Sequence, residues 1–111
     1  MLKENVIQYI KDHQQEAFDL LVELAQIPAP SNHEEKRAAF CKEWLEKQGA
    51  QGVYIDEALN VIYPLGCIDD HPLYVYMAHS DVVFPDEEPL PLKVENGRIY
   101  CPGVGDDTAN A

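Results

Sequence analysis

The run Leu73-Tyr-Val-Tyr-Met-Ala78 carries no charged side chain, and it constrains the fold more than any other stretch. Successive side chains of a strand point to opposite faces. A strand apolar at every position therefore needs cover on both, the situation of a strand inside a layered α/β sheet. The run is much too short to cross a membrane, which takes roughly 20 apolar residues, and no other stretch comes near that length. His79-Ser80-Asp81 follow directly, so the first polar side chains stand at the carboxyl end of the strand.

Helices that could cover it come first in the chain. Residues 4–27 read as helix, with a possible break near His13-Gln14-Gln15. Phe18, Leu21, Leu24 and Ala25 fall at the three- and four-residue spacing of a core-facing stripe. Pro28 stops that helix and Pro30 keeps the link extended. Ser31-Asn32-His33-Glu34 reads as a capping box, Ser31 accepting from an orphan N–H and Glu34 reaching back to the Ser31 N–H. The second helix runs to about Gln48, with Phe40/Trp44 and Cys41/Leu45 as i,i+4 pairs, and Gly49 supplies the positive φ of a helix end. Val53-Tyr54-Ile55 and Asn60-Val61-Ile62-Tyr63 then read as antiparallel partners. Residues 85–91 form a loop, and Lys93–Tyr100 is a hairpin turning on Asn96-Gly97. The pattern predicts an α/β fold, two N-terminal helices packed on a mixed β-sheet, in one domain over residues 1–111. Residues 103–111 read as a loop entering a further helix.

Charge narrows the partners. The chain carries −12 net, with −3 over residues 1–50 and −9 over residues 51–111. A phosphate backbone or an anionic membrane is the wrong partner for such a surface, so neither nucleic acid nor membrane is expected. The acidic second half must stay solvated or take up cations. Met1-Leu-Lys-Glu-Asn lacks the basic-then-apolar pattern of a secretory signal. Cys41, Cys67 and Cys101 are an odd, widely spaced set without a C-x-x-C pair, which fits free thiols in a reducing cytoplasm.

Two segments could carry chemistry. In His79-Ser80-Asp81 the first and third residues share a face, so Asp81 can hold one ring nitrogen of His79 and leave the other for a metal. The same three residues also suit an ordinary strand-end histidine salt-bridged to Asp81. In Cys101-Pro-Gly-Val-Gly-Asp106-Asp107-Thr-Ala-Asn110 two adjacent carboxylates follow two glycines. Such crowding raises a carboxyl pKa or calls in a cation, and one aspartate can bridge two divalent ions. A solvated acidic turn capping the next helix is the other reading. His13 in a polar helical stretch, His33 in a cap and His71 in the Asp69-Asp70-His71-Pro72 turn are read as non-catalytic.

Taken together, these segments give a family resemblance over nearly the whole chain. It runs through the Leu-x-x-Leu-x-x-Ile-Pro stretch at Leu21–Pro28, Ser31-x-x-Glu34, Trp44-Leu45, Gly49 and Asn60-Val61. It continues through the apolar run ending His79-Ser80-Asp81-Val82-Val83, then Glu95–Tyr100 and Gly103-Val104-Gly105-Asp106-Asp107. The chain resembles the N-terminal part of the zinc metallopeptidases that include acetylornithine deacetylase, succinyl-diaminopimelate desuccinylase, aminoacylase, peptidase T and glutamate carboxypeptidase (metallopeptidase family twenty). The resemblance implies the first part of an α/β/α catalytic domain. It implies hydrolysis of an amide bond in a small peptide or N-acyl amino acid, by a water activated between two Zn (or Co) ions. His79 would ligate one metal, Asp81 would orient the His79 ring, Asp106 would bridge both metals, and the Asp106–Asp107 peptide would be cis. Cys101, where the family has Gly or a small residue, and Thr108, where many members have Lys, depart from it at positions that are not ligands.

In the family a Glu-Glu pair, a further carboxylate and a distant histidine complete the site, all in positions beyond Ala111. Glu34-Glu35 and Glu87-Glu88 precede Asp106 and cannot replace them. The expectation is therefore a truncated catalytic domain, inactive by itself, in which one face of the 73–78 strand lies exposed or is buried against another chain as in a homodimer. The alternative is a non-catalytic acidic domain of the same fold that binds no metal.

Overall fold

The computed structural model describes all residues 1–111 and mixes helices with small antiparallel ladders. Three helices come first: α1 (Glu4–Asp12), α2 (Gln14–Gln26) and α3 (Glu35–Lys47). The expected break falls at His13, whose ring stacks on Tyr9 with centroids 3.9 Å apart and lies 2.7 Å from the Tyr9 carbonyl oxygen. That ring stands at an acceptor near the end of α1, and His13 itself leaves helical geometry (φ −106°, ψ 10°). α2 ends where Ile27, ahead of Pro28, turns extended (φ −74°, ψ 118°), as a residue before proline must. Gly49 carries the chain out of α3 at φ 92°.

The capping box at Ser31 does not form. The backbone N–H of Asn32 donates to Glu34 Oε1 (2.8 Å), and no side chain caps α3. Asn32 takes a positive φ of 67°, which turns the chain a residue later than the motif requires and points Ser31 elsewhere.

Two short ladders follow. β1 (Tyr54–Ile55) pairs antiparallel with β2 (Val61–Ile62), and β3 (Lys93–Glu95) pairs antiparallel with β4 (Arg98–Tyr100). Asn96 and Gly97 turn the second at φ 52° and 72°, the doubly positive geometry that suits a right-twisted hairpin. The ladders do not join, so the expected mixed sheet is replaced by two separate hairpins. The one parallel contact is a bridge between Pro30 and Val82, closed by the Val82 N–H on the Ala29 carbonyl (2.8 Å).

The 73–78 run corrects the expectation most sharply. It forms no strand, and Leu73, Tyr74, Val75, Tyr76 and Met77 are 65–97% exposed. A strand needs a neighbour to accept and donate along its edge. Here β1–β2 and β3–β4 are each satisfied within their own hairpin, and no backbone group of 73–78 pairs with another.

The core is small and lies at one place. Leu24 and Ala25 of α2, Pro28, Ala29, Arg37 and Ala38 of α3, Val82 and Thr108 are among its buried residues. The half-buried Phe18 and Leu21 continue the α2 stripe outward. Here α2 contacts a wide turn at Val104–Thr108, and Arg37 of α3 reaches the end of α2 by hydrogen bonds to the Ala25 and Ile27 carbonyls. All three cysteines are free, and no helix is long and apolar enough to cross a membrane.

Candidate metal centre

Val82 is pinned to Ala29 by its N–H, and this fixes the residues just before it. Asp81 then lies beside the 28–31 link, where its Oδ2 accepts a hydrogen bond from the Ser31 hydroxyl. That hydroxyl is the main reason the Asp81 carboxyl is held below the usual carboxylate range, with His79 adding to the effect against partial desolvation. The His79 Nδ1 stands 3.2 Å from Asp81 Oδ1 and 3.1 Å from the Asp81 carbonyl oxygen. These distances exceed the 2.7–2.9 Å of a charge-assisted bond, because the ring nitrogen is shared between two acceptors of one residue.

The other segment arrives through Gly103. At φ 75° this residue bends the chain so closely over Val82 that a Cβ would come within 2.4 Å of Val82 Cγ1. Glycine is what lets the Val104–Thr108 turn approach. Within that turn the Asp106–Asp107 peptide is cis, and neither aspartate is helical (φ −137°, ψ 87° and φ −123°, ψ 22°). The Asp106 carboxylate faces His79, its Oδ1 3.2 Å from His79 Nε2. Asp107 turns away and accepts from the Asn110 side-chain amide.

His79 thus stands between two carboxylates. An imidazole with an acceptor on each nitrogen is satisfied only if a cation occupies both positions, a proton at Nδ1 and a proton or metal ion at Nε2. Partial desolvation lowers the His79 pKa, but the Asp106 hydrogen bond, then Asp81 and Asp107, outweigh it and leave the pKa raised. The 3.2 Å gap between Nε2 and Oδ1 serves a hydrogen bond, and it also fits two ligands of one tetrahedral zinc ion. Ligands about 2.0–2.1 Å from such an ion lie roughly 3.3 Å apart. The donor chemistry, imidazole and carboxylate with a second carboxylate behind the ring, suits zinc or cobalt. No group of three or more His, Cys, Asp or Glu side chains is arranged to hold a metal ion; His79 and Asp106 are the pair that could share one, with Asp81 behind the ring. Asp106 is 88% exposed at its side chain, which leaves its carboxylate open to solvent and to a further cation.

Compared with known proteins, the chain matches no family model and no curated protein.

Two residues at this place were not singled out as part of it in the sequence. Ser31 fits a helix-capping pattern well enough to hide its use by Asp81. Arg37 belongs to no motif in the sequence, yet it is fully buried. Its signal was available: Arg37, Cys41 and Leu45 lie four residues apart, so the arginine stands on the inward stripe of α3.

Proposed function

We propose that the chain forms the first part of the catalytic domain of a cytoplasmic, zinc-dependent hydrolase of amide bonds, a peptidase or N-acyl amino acid deacylase. The observation that carries this reading is the convergence of His79 Nε2 and Asp106 Oδ1 at 3.2 Å, with Asp81 behind the ring. His79 would offer Nε2 as a ligand while its Nδ1–H stays on Asp81, which fixes the tautomer and strengthens the nitrogen as a donor. Ser31 keeps Asp81 ionised and in place for that task. Asp106 would offer one oxygen beside His79 and its second to a neighbouring site, the arrangement a bridging carboxylate needs. Zinc or cobalt bound there supplies Lewis-acid polarisation of an amide carbonyl and a water acidic enough to act near neutral pH. A general base and at least one more ligand are required from outside these 111 residues, since catalytic zinc takes three protein ligands. A small peptide or N-acyl amino acid is the substrate class.

A second reading is a domain of this fold in which a proton alone occupies Nε2, since the 3.2 Å between Nε2 and Asp106 Oδ1 is spanned by a hydrogen bond. Hydrolysis of dipeptides and N-acetyl amino acids with added Zn²⁺ or Co²⁺ separates the two. Metal-dependent turnover is expected from a chain that carries the remaining ligands, abolished by His79→Ala or Asp106→Asn, and none from residues 1–111 alone. Turnover indifferent to both substitutions refutes the first reading, and turnover by residues 1–111 above the His79→Ala control refutes the need for residues outside them.

A further inference from the structure

We infer that Arg37 is the positioning residue that sets the spacing between the His79 and Asp106 segments; its significance for metal binding rests on the reading above. Its guanidinium is fully buried and makes four hydrogen bonds to three parts of the chain. Nε donates to the Ile27 carbonyl (2.7 Å) and Nη2 to the Ala25 carbonyl (3.3 Å). Nη1 donates both to the Ser80 carbonyl (2.9 Å) and to the Thr108 hydroxyl (2.8 Å).

The last two bonds matter most. Ser80 is the residue between His79 and Asp81, and Thr108 directly follows Asp106-Asp107. One nitrogen thus holds both candidate ligand segments, and the other two fasten it to the end of α2. The final carbonyls of a helix lack intrahelical partners and carry partial negative charge, so they are a natural anchor for a cation.

Packing alone does not account for this residue. A charge taken out of water is costly unless it is paired, and here its four acceptors are neutral oxygens rather than a carboxylate. An apolar side chain would fill the seam without that cost but would leave the Ser80 carbonyl and Thr108 hydroxyl unjoined. Lysine would keep the charge, yet a single ammonium cannot reproduce the planar fork that reaches all four oxygens.

The test uses Arg37→Lys and Thr108→Val in the 111-residue chain, with three readouts. Circular dichroism and thermal melts report folding, nuclear Overhauser contacts between the His79 ring and Asp106 report spacing, and Zn²⁺ titration followed at the His79 ring reports affinity. In folded Arg37→Lys the His79–Asp106 contacts should be lost and Zn²⁺ affinity should fall at least about tenfold, the usual effect of removing a group that orients a ligand. Thr108→Val keeps the arginine and the side-chain volume, so it decides the matter if Arg37→Lys does not fold. It should weaken the same contacts while the Val82 N–H remains protected on Ala29. A lower melting temperature with contacts and affinity as in the parent chain would overturn the inference and make Arg37 a packing residue. If the parent chain binds no Zn²⁺ but the contacts still depend on Arg37, the positioning role stands and the metal reading falls.

Discussion

Gly103→Ala isolates how closely the Asp106 turn must approach Val82. Two costs add at this position. The residue sits at φ 75°, where an L side chain costs roughly 1–2 kcal/mol. The new Cβ would also lie 2.4 Å from Val82 Cγ1 and 3.0 Å from Val82 Cβ. Val82 is buried (2% exposed) and β-branched, so it has little rotamer freedom to yield. Overpacking of this kind typically costs about 1–3 kcal/mol, which puts the whole change at roughly 2–5 kcal/mol. Gly97→Ala supplies the control, because Gly97 has nearly the same φ (72°) and nothing within 4 Å of an added Cβ. Urea unfolding of both variants, compared by midpoint at unchanged slope, should show Gly103→Ala less stable than Gly97→Ala by about 1–3 kcal/mol. Adding Val82→Ala to Gly103→Ala should cost less than the sum of the two single changes. Equal losses in the two glycine variants, or strict additivity with Val82→Ala, would refute the close approach.

Further outcomes follow from other contacts. In Ser31→Ala the Asp81 carboxyl loses its main hydrogen-bond donor, so its pKa should rise toward the ordinary aspartate value in an NMR titration; an unchanged pKa would deny Ser31 its part. Asp56 accepts from the Asn60 side chain and from the Asn60 and Ala58 backbone N–H groups, which lowers its pKa. Its contribution is therefore present above the unfolded-state pKa and is lost as pH falls through the lower folded value. The Ala58 and Asn60 amides should lose protection only in that acid window, and loss near neutral pH would contradict it. The apolar 73–77 stretch, 65–97% exposed, should promote concentration-dependent association in sedimentation. Replacing Tyr74 and Tyr76 with serine should reduce it, and a parent chain monomeric at every concentration would count against this.

Local signals were legible from residue types. His13, Pro28, Gly49 and Asn96-Gly97 each fix a backbone event through their own chemistry, and helix ends and hairpin fall where they point. The His79–Asp106 convergence was expected only through a family resemblance, since no pattern in the chain reveals that residues 27 apart meet. What failed was pairing. The 73–78 run has the composition of a buried strand, but composition states a need for cover and does not supply a neighbour. Ser31 and Arg37 escaped because their work is done on residues 50 and 43 positions away, and for Ser31 a short-range capping motif offered a simpler use.

A metal ion in the proposed place, between His79 Nε2 and Asp106 Oδ1, would touch one histidine of the chain and no other. Zn²⁺ titration of the 111-residue chain, followed by the ring resonances of its 4 histidines, tests this directly. His79 alone should shift and saturate, the response should vanish in Asp106→Asn, and His13, His33 and His71 should stay where they are. No response at His79, or an equal response at all the histidines, would contradict the claim.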